Sequence, residues 1–235
     1  MQLELPRTGL NGSALVELLA QLALTDRPAA PPSFVEGLGR WLGWKDAIGL
    51  SAVLQTAAVA APVAADVAAP VKAPRVPLAS AVTRLDAEFT RVRTALALSI
   101  AQTLDDADRG EDRGHFLPWR RACFRLQQAM EAAVGPLRAQ ARAVLQAEAA
   151  RHAAFVPLGT LAALDAALAQ ALAPREQAQL ALMPVLLEKH FMQQSTAPGA
   201  FRAGMQGLLH AELELRLQPA LGLLDALRAA HTGST

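Results

Sequence analysis

From Leu78 onward the apolar residues fall at Val82, Leu85, Phe89, Val92 and Leu96, and then at Ser99 or Ile100. Steps of three and four keep them on one side of a helix, a seam of coiled-coil type over about three heptads. A strand would need every second residue on one face instead. The chain is 52% hydrophobic but only 4% aromatic, with no tyrosine. Much of its apolar content is alanine and leucine, both strong helix formers, and residues that favour strands are sparse. The expected fold is all-α: a helical bundle with long kinked and coiled-coil-like helices, plus a small N-terminal helical module.

The module spans residues 1–55. Leu15, Leu18, Leu19 and Leu22 share a helical face, and TDRPAAPP breaks that helix. Ser33 and Glu36 then have capping-box spacing for a short helix reaching about Leu42. Lys45 to Leu54 reads as a third helix, after the break at Gly43. About 45 residues is near the lower limit for folding alone without disulfides or metal. Residues 56–77 carry Pro62, Pro70, Pro74 and Pro77 among alanine and valine, which predicts a linker. Such a linker spans about 25 Å as a coil and about 65 Å as polyproline II.

The bundle occupies residues 78–235. The seam helix is expected to end in an acidic, glycine-punctuated loop, Asp105 to Gly114. Pro118 suits the first turn of the next helix, whose apolar face reads Trp119, Ala122, Leu126, Met130, Ala133, Leu137, Ala141 and Val144. The phase survives Gly135-Pro136, so one long kinked helix to about Ala154 is predicted. Leu161, Leu164, Leu168 and Leu172 mark a further helix ending before Pro174. Leu180, Met183, Leu187 and Phe191 line another. Phe201, Met205, Leu208 and Leu209 open the last, which Pro219 kinks or divides. The total is about five helices, two or three of them long.

Residue clusters that would carry chemistry are weak. Glu148 with His152, and His210 with Glu214, stand four apart. Di-metal helical bundles use a three-residue Glu–His spacing together with further glutamates, so neither pair reads as a metal site. Cys123 lies one residue beyond an apolar stripe, near Arg120 and Arg121, with no histidine partner at local spacing; it reads as a small hydrophobe. No phosphate-binding, dinucleotide-binding or serine-nucleophile motif occurs. No catalytic residue, cofactor or metal is assigned.

The most distinctive basic feature is LPWRRACFRLQQAM. Arg121 with Arg125, and Arg138 with Arg142, stack four apart along the helix, and Trp119 and Phe124 flank the first cluster. Eight arginines face four acids between Arg109 and Arg151. Trp119, Arg120, Arg121, Arg125, Arg138 and Arg142 are therefore candidate interaction residues. A solvated face paired with the acidic loop is the plain alternative, and phosphate clamping with base stacking a further one. Trp41 and Trp44 share a face of the N-terminal module, as its core or as anchors for a partner.

Charge is nearly balanced, 22 basic against 21 acidic residues for a formal +1, so there is no global field for nucleic acid or an anionic membrane. One cysteine allows no intrachain disulfide, which suits a reducing compartment. The start MQLELPRTGLNGS lacks a signal-peptide core, and the alanine-rich stretch is too interrupted to span a bilayer. A cytoplasmic protein without direct membrane insertion is expected.

LPRTGLNGSALVELLAQLAL, FVEGLGRWLGWKDAIGLSAVL, a variable alanine-proline stretch, Arg120-Arg-Ala-Cys-Phe124 and Leu164 to Gln177 resemble an uncharacterised proteobacterial family, a domain of unknown function, over nearly the whole chain. The resemblance supplies no catalytic residues. It implies a setting beside a motor-type inner-membrane protein and a peptidoglycan-binding protein, and so a cytoplasmic accessory of an envelope complex. The expected role is a non-enzymatic helical interaction or adaptor protein, with a protein partner or a homo-oligomer held through the long helices. Two alternatives stand beside it: a nucleic-acid-associated protein using the arginine-rich helix, and a metal-dependent helical-bundle enzyme.

Overall fold

The structure, a computed structural model, describes residues 14–22, 44–59, 77–110, 114–152, 155–193 and 198–232. The helices are α1 (Ala14–Gln21), α2 (Trp44–Val59), α3 (Leu78–Arg109), α4 (Leu117–Arg151), α5 (Val156–Leu180), α6 (Met183–Gln193) and α7 (Pro198–Thr232). Among the described residues there is no strand. The fold is an all-α bundle, with five helices from Leu78 onward. The capping-box pair Ser33 and Glu36, Trp41 and most of the 56–77 stretch lie outside the described residues. α2 continues to Val59, four residues into that stretch.

The chain forms two compact units. The first takes α1 with Val92–Ala133 and Leu172–Leu217; the second takes Trp44–Arg91, Val134–Ala171 and the chain from Gln218.

The second unit has a core drawn from four helices. Val82 and Leu85 of α3 meet Ala141 and Leu145 of α4, Ala162 of α5, and Leu223, Leu224 and Leu227 of α7. Phe89, Val144, Leu158 and Leu161 pack around it, half-buried. Each fully buried leucine contributes roughly 2–3 kcal/mol by leaving water. Arg228 of α7 bonds Asp86 of α3 across the surface. α2 contributes Leu50, which is buried, and leaves Ile48 and Leu54 exposed.

In the first unit, Val92, Leu96, Ile100 and Leu104 continue the α3 seam into the interior, the last two fully buried. Arg93 of α3 bonds Glu214 of α7 at 2.7 Å, and further along α3 Asp105 bonds Arg202, nearer the start of α7. Partners that advance along α3 while retreating along α7 mark an antiparallel pair. Asp105 is thus helical: α3 absorbs the first half of the acidic run expected to be loop and ends at Arg109.

α1 has eight residues, too short to be stable in isolation. It is held by burial of Leu15 and Leu19 and by close approach to α7. A Cβ at Gly204 would lie 3.3 Å from Leu22 Cδ2, and one at Gly207 would lie 4.0 Å from Leu18 Cδ2. Any larger residue at Gly204 would displace that neighbour.

The helix boundaries around proline differ from the sequence reading at Pro174. α4 and α7 run unbroken through Pro136 and Pro219. α5 also runs through Pro174, where a fresh start is expected, and turns only after Leu180. Pro174 and Gln170, one turn earlier, are both exposed. The carbonyl that loses its partner there lies on the solvent side, so the interruption is tolerated. The α5 leucines also differ from expectation: Leu161, Leu164, Leu168 and Leu172 are half-buried, and Ala162 is the buried residue of that stretch.

Candidate functional site

α4 begins at Leu117 with Pro118 second, so the missing proline donor falls where a helix start has no bond to lose. Its interior face carries Trp119, Ala122, Cys123, Leu126, Met130, Val134, Leu137, Ala141 and Leu145, all buried. Val134 and Leu145 take the interior places expected for Ala133 and Val144, which are half-buried. The larger neighbour wins the core position in both cases.

The opposite face of the first turns is open. Leu117 is 51% exposed and Phe124 44%. At about 100° per residue these two lie about 20° apart. Arg120 lies about 60° to one side of Leu117, and Arg121 and Arg125 about 40° and 80° to the other. All three arginines are exposed, and none has a carboxylate partner among the described residues. The Arg120 guanidinium carbon stands 5.9 Å from the centre of the Phe124 ring, a cation–π contact that orients both side chains. The result is a short apolar strip with cationic flanks on a helix fixed from behind.

The other sequence candidates are placed elsewhere. Trp119 is 1% exposed and meets Phe201 edge to face at 5.3 Å. It belongs to a buried aromatic cluster with Phe116, Phe191 and His190 around Phe201, so it cannot stack on an external ligand. Phe124 is the surface aromatic of this region. The signal was in the spacing, because Trp119 falls on the stripe with Ala122 and Leu126, and Phe124 falls off it. Arg138 and Arg142 are engaged by Asp165 of α5, with Arg138 Nη2 2.7 Å and Arg142 Nη1 3.5 Å from the carboxylate. They are structural cations of the second unit, separate from the Arg120–Arg125 group. Trp44 is the first residue of α2; its side chain, like Trp41, lies outside the described residues.

Two buried acids were not anticipated. Glu212 is fully buried. One oxygen accepts from Arg216 Nε at 2.9 Å and the other from Gln127 Nε2 at 3.1 Å, while the same Gln127 nitrogen reaches the Leu180 carbonyl at 3.3 Å. This network joins α4, α5 and α7. Glu148 is 3% exposed and bonds Arg151 at 2.5 Å. In each case the cue is an arginine three or four residues later on the same helix face.

Burial, and then the charge on Glu212, push the Cys123 thiol up to about 12. It is therefore a protonated core residue at neutral pH, not a nucleophile. His190 is 3% exposed and neither ring nitrogen has a hydrogen-bond partner among the described residues; burial holds it below the usual imidazole range. Of the paired Glu–His candidates, His152 packs edge-on against Phe155 and His210 Nδ1 sits 3.0 Å from the Gln206 carbonyl. Glu214 is bonded to Arg93. Among the described residues, no three histidine, cysteine, aspartate or glutamate side chains come together as metal ligands. The run Val156–Gln193 is long and apolar enough to cross a membrane by length and composition. It carries Asp165 bonded to two arginines of α4.

A family model described as "Protein of unknown function (DUF3348)" matches residues 1–199 and 193–229. The chain belongs to this family. The match agrees with the full-length resemblance read from the sequence. No curated protein and no solved structure matches the chain.

Proposed function

We propose that this member of the family is a non-enzymatic helical adaptor that acts in the cytoplasm as an accessory of an envelope-associated complex. Its protein partner is held on the outer face of α4. One observation carries this reading: Leu117 and Phe124 are exposed on a common strip, flanked by three arginines without carboxylate partners among the described residues. Single exposed apolar residues need no explanation. Two on one helical strip with a cationic rim have the make-up of a small interface, an apolar centre with a charged margin. The envelope setting is supported by the family resemblance and by nothing in the geometry.

A photo-crosslinking residue in place of Leu117 or of Gln128, which is exposed one turn beyond Phe124, with the chain expressed in its native cell, tests the reading. The expected result is a discrete protein adduct that disappears when Arg120, Arg121 and Arg125 are reversed to glutamate. Absence of any adduct from both positions sinks it. Light scattering of the purified chain asks separately whether the long helices also pair with a second copy.

A nucleic-acid reading keeps one supporting observation, the Arg120–Phe124 pair, which could stack on a base. It has lost Trp119, Arg138 and Arg142 as contributors. Oligonucleotide binding that falls steeply with salt would favour it.

A further inference from the structure

Resting on the adaptor reading, we infer that the occupant of the α4 face is an acidic amphipathic helix of a partner protein, its apolar stripe on Leu117 and Phe124 and its carboxylates on Arg120, Arg121 and Arg125. The first ground is spacing. Leu117 and Phe124 stand seven residues apart, two helical turns, so they lie one above the other along the axis. A helix laid along α4 meets such a pair with residues at i and i+7, or with i+3 and i+4 between them. An extended peptide needs a sheet edge or a groove, and this face presents a convex helix.

The second ground is charge. The arginines lie on both sides of the apolar strip, where the flanking positions of a two-helix contact fall, and such positions select a partner of opposite sign. The chain has 21 acidic residues, yet among the described ones none neutralises these three. Carboxylates at the matching flanks of the partner would do so with bidentate geometry. Elsewhere the chain does pair arginines with carboxylates, as Arg138 with Asp165 and Arg228 with Asp86 and Asp225. The third ground is rigidity. The strip is backed by Trp119, Ala122, Cys123 and Leu126, each no more than 1% exposed, and Arg120 is already held over Phe124. The helix, Phe124 and Arg120 therefore need little further ordering on binding.

A flat anionic bilayer fits less well, because only two apolar side chains protrude and the fixed helix cannot roll to insert more. Nucleic acid would use the cations and one ring, and would leave Leu117 without a role.

The test uses the full chain and a synthetic helix of three heptads with leucine at the a and d positions and glutamate at the flanks. The controls are the same helix with lysine flanks, vesicles containing anionic lipid, and a single-stranded oligonucleotide. The expected result is saturable binding of the glutamate helix that weakens with salt. It should fall at least about tenfold with Phe124→Ala, and vanish in R120E/R121E/R125E while the lysine helix begins to bind that variant. Unchanged circular dichroism and melting of both variants show that the fold is intact. The inference is overturned if the glutamate helix does not saturate, or if its binding ignores the three reversals. It is also overturned if only vesicles or the oligonucleotide bind through the arginines, or if a second copy of the chain occupies the face. A protein adduct from position 117 or 128 without binding of the glutamate helix rejects this partner chemistry alone; no adduct rejects the adaptor reading itself.

Discussion

Arg138 grips Asp165 with two nitrogens at once, Nε 2.9 Å from Oδ2 and Nη2 2.7 Å from Oδ1, and so ties α4 to α5 in the second unit. Both side chains are largely shielded, 19% and 11% exposed. A forked pair of this kind is among the stronger ionic contacts, and losing one partner strands the other charge. Asp165→Ala is expected to destabilise the protein by about 2–4 kcal/mol. Arg142→Ala, which removes a single 3.5 Å contact, should cost about 1 kcal/mol or less. Urea unfolding followed by circular dichroism measures both.

His190 should make stability depend on mild acid. Burial favours the neutral ring, so the folded protein binds this proton at a lower pH than the unfolded chain, which takes it up near about pH 6.5. The contribution is complete above that value and is lost as pH falls from it towards the lower folded-state value. His190→Phe should flatten this part of the profile, leaving a smaller difference between urea midpoints at pH 7.5 and pH 5. An unchanged difference would mean that other groups set the acid sensitivity.

Two glycines of α7 should respond in opposite directions to alanine. At Gly204 the new methyl would stand 3.2 Å from His190 Nε2 and 3.3 Å from Leu22 Cδ2, one of them on a ring that cannot flex. Gly204→Ala should cost about 1–2 kcal/mol from crowding, net of the helix propensity gained, with faster proteolysis near α1. At Gly222 nothing lies within 4 Å. Gly222→Ala should stabilise by about 0.5–1 kcal/mol. Thermal melts of the two variants give the comparison.

The Cys123 thiol should resist alkylation in the native protein at neutral pH and react readily in denaturant, because it is buried and its ionisation is suppressed. Cys123→Ser should be less stable than Cys123→Ala, since burying a hydroxyl carries a desolvation cost that a methyl does not. Iodoacetamide labelling read by mass spectrometry tests the first expectation and urea midpoints the second.

The fold was legible where spacing acts over many turns. Val82 to Ile100 alternates by three and four long enough to fix a seam, and the burial of Val82, Leu85, Val92, Leu96 and Ile100 follows it. It was less legible where one residue carries the decision. Pro174 reads as a stop, but a proline whose lost bond faces water can be absorbed by a helix. In α4 the apolar stripe was visible while its phase was not, because 3.6 residues per turn lets Val134 replace Ala133 without disturbing Met130. The candidate site divided for the same reason. One-dimensional clustering puts Trp119 beside Arg120, yet a step of one residue turns a side chain by about 100°, enough to place one in the core and the other in water. That Asp165 would claim Arg138 and Arg142 depends on which helices pack together, which local spacing does not encode.

The aromatic cluster around Phe201 also makes the protein a reporter of its own state. With no tyrosine and three tryptophans in the chain, near-ultraviolet emission comes from the indoles alone. In a chain carrying Trp41→Phe and Trp44→Phe, the entire signal would arise from Trp119. That ring is held edge-on to Phe201, its N–H without a partner among the described residues, an environment that gives blue-edge emission and shifts red when water enters. Residues 117–125 of α4 therefore offer an outward surface for recognition and an inward lamp that reads whether the helix behind that surface is still seated.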